Sequence, residues 1–234
     1  MKLTVLGNSG GYPAANGACS GYLAHEGEKA LLLDCGSGVL SRLFALMDPC
    51  ELEGIVITHW HFDHGSDLLP LQYYLQARKK TLPIYAPTEN APLRKLCDCP
   101  EFSLHGLEEA DQAGVFSLSA IRTKHPMPSF AVKVGMSGRT LVYTGDAAEG
   151  QSLEAFCRDA DVLLCDAAFS KAIWHEGLPH MSAEMAAKLA ETTAHAKLLL
   201  THFPPAQDVA TLLREARDIY PNTQATQPGM QIDI

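Results

Sequence analysis

The stretch Thr58-His59-Trp60-His61-Phe62-Asp63-His64 places three histidines and one aspartate within six positions, directly after an apolar run typical of a strand. In an extended backbone alternate side chains share one face, so His59 and His61 can bind one cation through their ring nitrogens. Asp63 and His64 lie where the chain should turn, and there adjacent side chains diverge toward a second cation. Imidazole and carboxylate are ordinary ligands of zinc and its neighbours. The pattern therefore predicts a metal site that favours two metals, and a histidine-containing surface loop is the simpler alternative.

The length and composition fit one large domain. The chain has 234 residues, of which 47% are hydrophobic and 19% charged, and no Pro/Gly/Ser-rich or charge-rich linker divides it. We therefore predict a single globular domain over residues 1–234. The apolar run Leu3–Leu6 soon meets Asn8–Gly11, so it is too short for a signal peptide or a membrane-spanning helix. A cytoplasmic location without membrane contact is the expectation.

The net charge and the cysteines argue against several functions. The formal charge is −9 with no stripe of Lys or Arg, which disfavours binding of a long nucleic acid because phosphate neutralisation supplies most of that affinity. The seven cysteines lack the dense spacing of a small secreted domain and are expected to be reduced thiols. Cys97 and Cys99 could form a soft-metal or redox pair, but nothing nearby completes a four-thiolate set.

Short apolar runs alternate with helical patterns along the chain, without a repeat. Early hairpins followed by strand–helix alternation predict two mixed sheets with helices packed outside them, an α/β (α+β) fold. The predicted strands are Lys2–Gly7, Gly21–His25, Lys29–Asp34, Gly54–Ile57, Ile84–Ala86, Val115–Arg122, Phe130–Val134, Thr140–Tyr143, Val162–Cys165, Lys197–Leu200, Thr223–Ala225 and Met230–Ile232. The predicted helices are Gly38–Leu46, Ser66–Ala77, Thr88–Leu96, Ser152–Arg158, Ser182–Thr193 and Ala206–Ile219.

Three further residues share one kind of position, at or just beyond the end of an apolar strand candidate: His125, Asp146 and His202. Side chains at strand ends can converge on one rim of a sheet. For each residue alone, a structural histidine or a turn aspartate is the simpler interpretation. Their recurrence in the same context favours metal ligands.

With these residues the sequence resembles the metallo-β-lactamase superfamily, and within it the branch of ribonuclease Z and related phosphodiesterases. The resemblance rests on the His-x-His-x-Asp-His signature at 59–64 and on the three isolated candidates in the expected order. It extends from Leu6–Gly10 and Leu33–Gly36 near the start to Leu200–Phe203 near the end. It implies a four-layer αββα sandwich with a metal centre between the sheet edges.

The resemblance also implies which residues bind each of the two metals. His59, His61 and His125 would hold one metal, and Asp63, His64 and His202 the other. Asp146 would bridge them together with a water or hydroxide. Zinc is the first choice, and manganese or iron is compatible with the same residue types. Asp34 matches an early aspartate of the family that orients ligand histidines, although an aspartate that caps a glycine turn is the alternative.

Two residues outside the metal set resemble a further part of the ribonuclease Z branch. His180 matches an extra histidine that precedes a small-residue helix, for which Ser182 is the expected N-cap. Its imidazole could donate to a phosphoryl oxygen or protonate the leaving alkoxide, whereas a helix-entry histidine without a reactive function is the alternative. In that branch a glutamate in a His-Glu-Ala-Thr stretch supports this histidine. Here the matching stretch is Cys165–Phe169, so Asp166 would give the support with a shorter side chain.

The length of the segment between His125 and Asp146 bears on the size of the substrate. The tRNA-processing members carry a long arm there, whereas only a hairpin at about Phe130–Tyr143 fits between His125 and Asp146. This disfavours precursor tRNA and favours a small anionic phosphodiester, such as a cyclic nucleotide. The implied reaction is hydrolysis by a hydroxide that bridges two metals. Asp63 and Asp146 would position this hydroxide, and His180 would assist the leaving group.

Several alternatives remain open from the sequence. The same hydroxide could hydrolyse a thioester, an ester or a lactone, and a β-lactamase is disfavoured because no periplasmic signal is present. A non-catalytic metal-stabilised binding module would require lost ligands, and none is lost. The apolar segment Leu68–Leu71 with Tyr73 and Tyr74 could form a homodimer surface or a core helix.

Overall fold

A computed structural model describes residues 1–193 and 197–234. In this part of the chain the strands are β1 (Lys2–Gly7), β2 (Gly21–Glu26), β3 (Lys29–Leu33), β4 (Gly54–Val56), β5 (Leu82–Ala86), β6 (Phe102–Gly106), β7 (Gln112–Ala113), β8 (Phe116–Arg122), β9 (Phe130–Met136), β10 (Arg139–Tyr143), β11 (Val162–Asp166), β12 (Lys197–Thr201), β13 (Thr223–Ala225) and β14 (Gln231–Asp233). The helices are α1 (Val39–Phe44), α2 (Phe62–Gly65), α3 (Leu68–Arg78), α4 (Pro92–Leu96), α5 (Glu154–Cys157), α6 (Ala183–Glu191) and α7 (Val209–Arg217).

The strands form two seven-stranded sheets. The first has the order β14-β1-β2-β3-β4-β5-β6 and the second the order β13-β12-β11-β10-β9-β8-β7. In each sheet an antiparallel meander, β1–β3 or β7–β10, continues into parallel strands, β3–β6 or β10–β13. Parallel neighbours require crossover connections, which the helices supply.

The two sheets face each other across a buried core, and helices cover their outer faces. In β3, Leu31 and Leu33 point into the core between the sheets, where they belong to the same cluster as Val132 of β9. The alternate residue Leu32 points outward into a cluster with Leu71 of α3. Both faces of β3 are therefore buried, which explains its continuous apolar sequence. The layer order is helix, sheet, sheet, helix, and it confirms the predicted αββα sandwich.

Two short strands and one short α-helix of the described residues were not predicted. Strand β6 carries Ser, His and Gly in five residues, and it lies at the edge of the first sheet, where it pairs with β5. Strand β7 has two residues and forms only a tight hairpin with β8. Helix α2 is a single turn that begins after His61. Such short segments contain too few residues to show a hydrophobic period.

Other predictions differ at the element ends. The helix predicted at Thr88–Leu96 begins only at Pro92, since proline is well tolerated in a first helical turn. The helix predicted at Ala206–Ile219 begins after Asp208, whose carboxylate caps it by accepting from the Ala210 N–H. The N-cap predicted at Ser182 is confirmed, because its hydroxyl accepts from the Met185 N–H at 3.2 Å.

Helix α3 contains the apolar segment Leu68–Leu71, which could form either a homodimer surface or a core helix. Leu68, Leu71 and Leu75 are fully buried in the outer core of the first sheet. Tyr73 points away from this core and is 73% exposed. The core-helix interpretation therefore accounts for the leucines. None of the helices in residues 1–193 and 197–234 is both long and apolar enough to cross a bilayer.

Candidate metal centre

The candidate residues follow strands from both sheets and meet at one edge of the sandwich. Asp34 and His59 come after β3 and β4 of the first sheet, whereas Asp146 and His202 come after β10 and β12 of the second. These four strands run parallel to a neighbour in their own sheet, and the carboxyl ends of such strands are a common place for functional side chains. The strand topology thus brings together candidates that lie far apart in the sequence.

His59 and His61 lie on one side of the chain because Trp60 anchors the opposite side. The Trp60 ring is buried, and its Nε1–H donates to the Pro87 carbonyl at 2.9 Å. His59 Nε2 lies 2.9 Å from His61 Nδ1, and His125 Nε2 lies 3.3 Å from the same His61 atom. Three ring nitrogens therefore face one small space.

The protonation of these three rings suits metal binding. Burial lowers the pKa of His59 and of His61 to about 4, and it also lowers the pKa of His125. All three imidazoles are thus neutral at pH 7 and can offer a lone pair. For His125 the Nδ1–H donates to the Pro179 carbonyl at 3.1 Å, which leaves Nε2 as the free atom.

Asp63, His64 and His202 form the second group. Asp63 and His64 lie on the single turn α2, and Asp63 Oδ2 is 3.5 Å from His64 Nε2 and 3.9 Å from His202 Nε2. The Gly11 N–H donates to the same Asp63 oxygen at 2.7 Å. At the neighbouring Gly10 a Cβ atom would lie 2.7 Å from the His202 ring, so this approach requires glycine.

Asp146 lies between the two groups and turns one oxygen toward each. Its Oδ1 is 3.3 Å from His64 Nε2 and 3.4 Å from His202 Nδ1. Its Oδ2 is 3.4 Å from His59 Nε2 and 3.9 Å from His125 Nε2. Burial raises the pKa of Asp146, but His202, His64 and His59 outweigh it and hold this pKa well below the usual range. The carboxylate is therefore ionised and placed to serve both groups.

The backbone of Asp146 is held as firmly as its side chain. The hydroxyls of Thr123 and Ser129 both donate to the Asp146 carbonyl, at 2.7 and 3.1 Å. Gly145 precedes it with a φ of 55°, and a Cβ there would lie 2.8 Å from the Phe130 carbonyl oxygen. The turn that presents Asp146 is thus determined by contacts with β9 and the loop before it.

Two buried atoms at the centre lack hydrogen-bond partners in the described part of the chain. They are His64 Nε2 and Asp146 Oδ1, which face each other at 3.3 Å. Buried polar atoms ordinarily have a partner, and a cation between these atoms would satisfy both. Imidazole nitrogens and carboxylate oxygens within 4.8 Å of one another are also the donors that a divalent metal takes. The residues therefore fit a divalent metal centre.

Asp34 lies beneath the centre and fixes the His64 ring. The carboxylate is fully buried and accepts from His64 Nδ1 at 2.7 Å, from the Thr58 hydroxyl at 2.9 Å and from the Tyr143 hydroxyl at 2.9 Å. The Thr58 N–H also donates to it, at 2.8 Å. Because His64 donates through Nδ1, its Nε2 is directed at Asp146. Asp34 therefore occupies the position of a residue that orients a ligand histidine.

Replacing Asp34 with asparagine is expected to lower the affinity for zinc about 10- to 100-fold, the usual range for loss of such a partner. Asparagine tolerates the positive φ of 57° found here. Its amide N–H₂, however, is itself a donor and would face hydroxyl and imidazole donors, so hydrogen bonds would be lost. Competition with a chromophoric chelator measures the affinity. Tyr143→Phe removes one donor and leaves the carboxylate, so its affinity should fall much less. Equal affinity in wild type and Asp34→Asn would contradict this function of Asp34.

His180 and Asp166 form a pair at the entrance to the centre. His180 Nδ1 lies 2.9 Å from Asp166 Oδ2, and the His180 ring stacks on the His202 ring with 4.9 Å between centroids. Burial lowers the pKa of His180, but Asp166 outweighs it and raises this pKa to about 9. Asp166 itself is fixed by the Ala147 and Ala168 N–H groups, which donate to its two oxygens. The shorter aspartate therefore reaches His180.

The structure brings all ten predicted residues together, and their functions as ligands or catalytic groups stay predictions. His180 Nδ1 also lies 3.8 Å from Asp146 Oδ2, so His180 borders the metal space itself. The groups that hold these residues, among them the Gly11 N–H, Thr58 and Tyr143, could not be recognised from the sequence. Ser20 was missed as well; its hydroxyl lies 3.2 Å from His202 Nδ1. Their sequence signal is weak because hydroxyl and backbone groups are common everywhere.

Residues 29–203 match the family model of the β-lactamase superfamily domain, and the chain belongs to this superfamily. It is similar to the "Probable metallo-hydrolase YhfI" of Bacillus subtilis (strain 168), with 34% identity over 229 residues that cover 94% of each chain. The crystal structure of the B. subtilis metallo-β-lactamase fold protein YhfI superimposes with a TM-score of 0.93 and 31% identity. That match covers 99% of this chain and 98% of the other.

More distant solved structures share the fold. Human tRNase Z, short form, matches with a TM-score of 0.80 and 23% identity over 100% of this chain and 99% of its own. A diphosphatase from the PhnP family matches with a TM-score of 0.73 and 17% identity over 99% of this chain and 96% of its own. The predicted superfamily and fold are confirmed, and the similarity to YhfI agrees with the prediction of a metal-dependent hydrolase.

Proposed function

We propose that this protein is a metal-dependent phosphodiesterase that hydrolyses small phosphodiesters such as cyclic nucleotides. The observation that carries the proposal is the position of Asp146, which turns one oxygen toward each of two ligand groups. That arrangement suits two divalent cations, with zinc as the first choice and manganese or iron as alternatives. One group would be His59, His61 and His125, and the other Asp63, His64 and His202.

When bound, two divalent cations supply a water of lowered pKa and positive charge that stabilises the phosphoryl oxygens. The residues of the chain position the reactants. Asp63 turns Oδ2 toward His64 and His202, which leaves its other oxygen to orient the attacking water. Gly11 holds Asp63 in this orientation through its N–H.

His180 is the group that would serve the leaving oxygen. Asp166 holds Nδ1, so Nε2 is the ring atom available to donate a hydrogen bond or a proton. The side chain is 17% exposed, which places it at the boundary between the metal space and the solvent. An alkoxide is a poor leaving group and gains from such a proton, which favours diesters of alcohols as substrates.

The connection between β9 and β10 supports a small substrate. The two strands join directly through Ser137 and Gly138. A long arm that could grip a folded RNA is therefore lacking between His125 and Asp146, both of which lie in the described part of the chain. The net charge of −9 also disfavours a polyanion.

Removal of metal is expected to abolish hydrolysis and lower the melting temperature, because a ligand that binds only the folded state stabilises it. The protein as purified is analysed for metal, with about two equivalents per chain expected for a dinuclear centre. Bis-(p-nitrophenyl) phosphate, cyclic AMP and a thioester are then assayed before chelation, after it, and after addition of Zn²⁺ or Mn²⁺. Thioester turnover without diester turnover would overturn the proposed substrate class, and full diesterase activity of metal-free protein would overturn the metal dependence.

A further inference from the structure

Two clefts open beside the metal centre on either side of Pro126. The first has a volume of about 470 Å³, and its lining includes His125, Pro126, Trp174, Leu178, Pro179 and Met185. The second has a volume of about 350 Å³, and its lining includes Trp60, His61, Pro87, Pro92, Met127 and Pro128. Both volumes lie in the range of about 300–1,000 Å³ that small-molecule sites occupy. The first cleft includes the candidate metal ligand His125, so a group bound there can belong to a molecule whose phosphate is at the centre.

The first cleft presents an aromatic ring in a fixed position. Trp174 lies on the segment from Phe169 to Ser182, whose two ends pair with each other as a β-bridge. The Trp174 N–H donates to the Ser170 carbonyl at 2.9 Å, and its ring Nε1–H donates to the His180 carbonyl at 3.1 Å. Trp174 is thus held through its backbone and through one edge of its indole, while part of the residue stays exposed. A ring held in this way loses little conformational entropy when a ligand packs on it.

The rim of this cleft carries polar groups of both signs. Lys124 Nζ lies 3.3 Å from Glu149 Oε2, and these side chains are 68% and 40% exposed. They offer a donor and an acceptor to the edge of a flat, neutral ring. Glu149 and Glu176 would repel a second anionic group there. The lining therefore favours an uncharged planar group with hydrogen-bonding edges.

We propose that this cleft is a subsite for a nucleobase of the substrate, with Trp174 as the residue on which the base packs. The proposal rests on the proposed phosphodiesterase function, since the phosphate of the same molecule would lie at the metal centre. Bases stack on aromatic side chains regardless of their identity, so Trp174 provides affinity more than selection among bases. Pro126 and Pro179 supply flat apolar walls beside the indole.

The test uses adenosine, which has a base but no phosphate, and intrinsic fluorescence. The chain has two tryptophans: Trp174 lines the first cleft, whereas Trp60 is only 3% exposed and borders the second, so comparison with Trp174→Phe assigns the quenching. Adenosine should quench the wild-type emission but not that of Trp174→Phe. Calorimetry should show an adenosine affinity for Trp174→Phe within about threefold of wild type, because a flat ring remains. Trp174→Leu should weaken adenosine binding, and raise the KM for cyclic AMP, about tenfold.

Asn90→Ala is the matched control, because Asn90 is exposed and lines the second cleft. It should leave adenosine binding and the KM for cyclic AMP unchanged. Absence of quenching in wild type together with an unchanged KM in Trp174→Leu would overturn the subsite. Adenosine binding that depends on Trp174 without hydrolysis of any phosphodiester would overturn the proposed function and leave the subsite standing. The two failures are therefore distinguishable.

Discussion

Asp146→Ala is expected to lose metal and to reduce phosphodiester hydrolysis at least about a thousandfold, because bound metal stabilises the transition state by several kcal/mol. Asp146 faces both ligand groups, so its removal weakens both at once. His61→Ala should act in the same direction, since His61 Nδ1 is the atom on which His59 and His125 converge. Metal content per chain and kcat/KM for bis-(p-nitrophenyl) phosphate are the measurements.

The loss should come from metal binding and not from unfolding. Circular dichroism of Asp146→Ala should match that of wild type, because the Asp146 carbonyl still accepts from Thr123 and Ser129. Asp98→Ala changes an exposed aspartate outside the centre and should keep both metal and activity. A folded Asp146→Ala protein with normal metal content and full turnover would remove Asp146 from the mechanism.

His180→Ala is expected to reduce kcat for cyclic AMP by about 10²- to 10⁴-fold while metal content stays normal, as for loss of a general acid. The effect should depend on the leaving group. Cyclic AMP releases an alkoxide that needs a proton, whereas bis-(p-nitrophenyl) phosphate releases a stabilised phenolate. The loss should therefore be much smaller for the phenyl ester. Asp166→Asn should show the same pattern in weaker form, because an amide stabilises a protonated His180 less.

This dependence separates a proton donor from a residue that only shapes the loop. A structural function would reduce the turnover of both substrates by the same factor. His175→Ala is the control, because His175 is exposed, lies on the same segment, and its ring hydrogen-bonds the neighbouring Glu176 carbonyl. Its kinetics should equal those of wild type. Loss of metal in His180→Ala would instead identify His180 as a ligand, which its 3.8 Å distance from Asp146 permits.

The central elements of the fold could be predicted because their sequences carry strong local signals. The run Ala30–Leu33 is apolar and buried on both faces, and Ser182 followed by an alanine-rich segment marks a helix start. Strand β6 and the hairpin of β7 had no such signal, because their pairing partner and not their own sequence determines their structure. Residue types within a segment predict its conformation only when local preferences agree with the tertiary structure.

In the candidate centre, too, some residues could be predicted from the sequence and others could not. The signature at 59–64 indicates metal binding by itself, since four donor-type residues lie within six positions. His125, Asp146 and His202 could be proposed from their strand-end positions and from the family resemblance. Trp174 could not be predicted, because nothing in its neighbourhood indicates that its ring borders a cleft next to His125.

The sequence by itself determined the donor types, their order and the strands that carry them. Only the tertiary structure decided that Asp146 lies between two ligand groups, that Asp166 reaches His180 and that Tyr143 and Thr58 share Asp34. The physical reason is that these contacts join strand ends of two different sheets, or neighbouring strands far apart in sequence. Their distances depend on how the sheets pack across the common core, a property of the whole chain that no single segment contains.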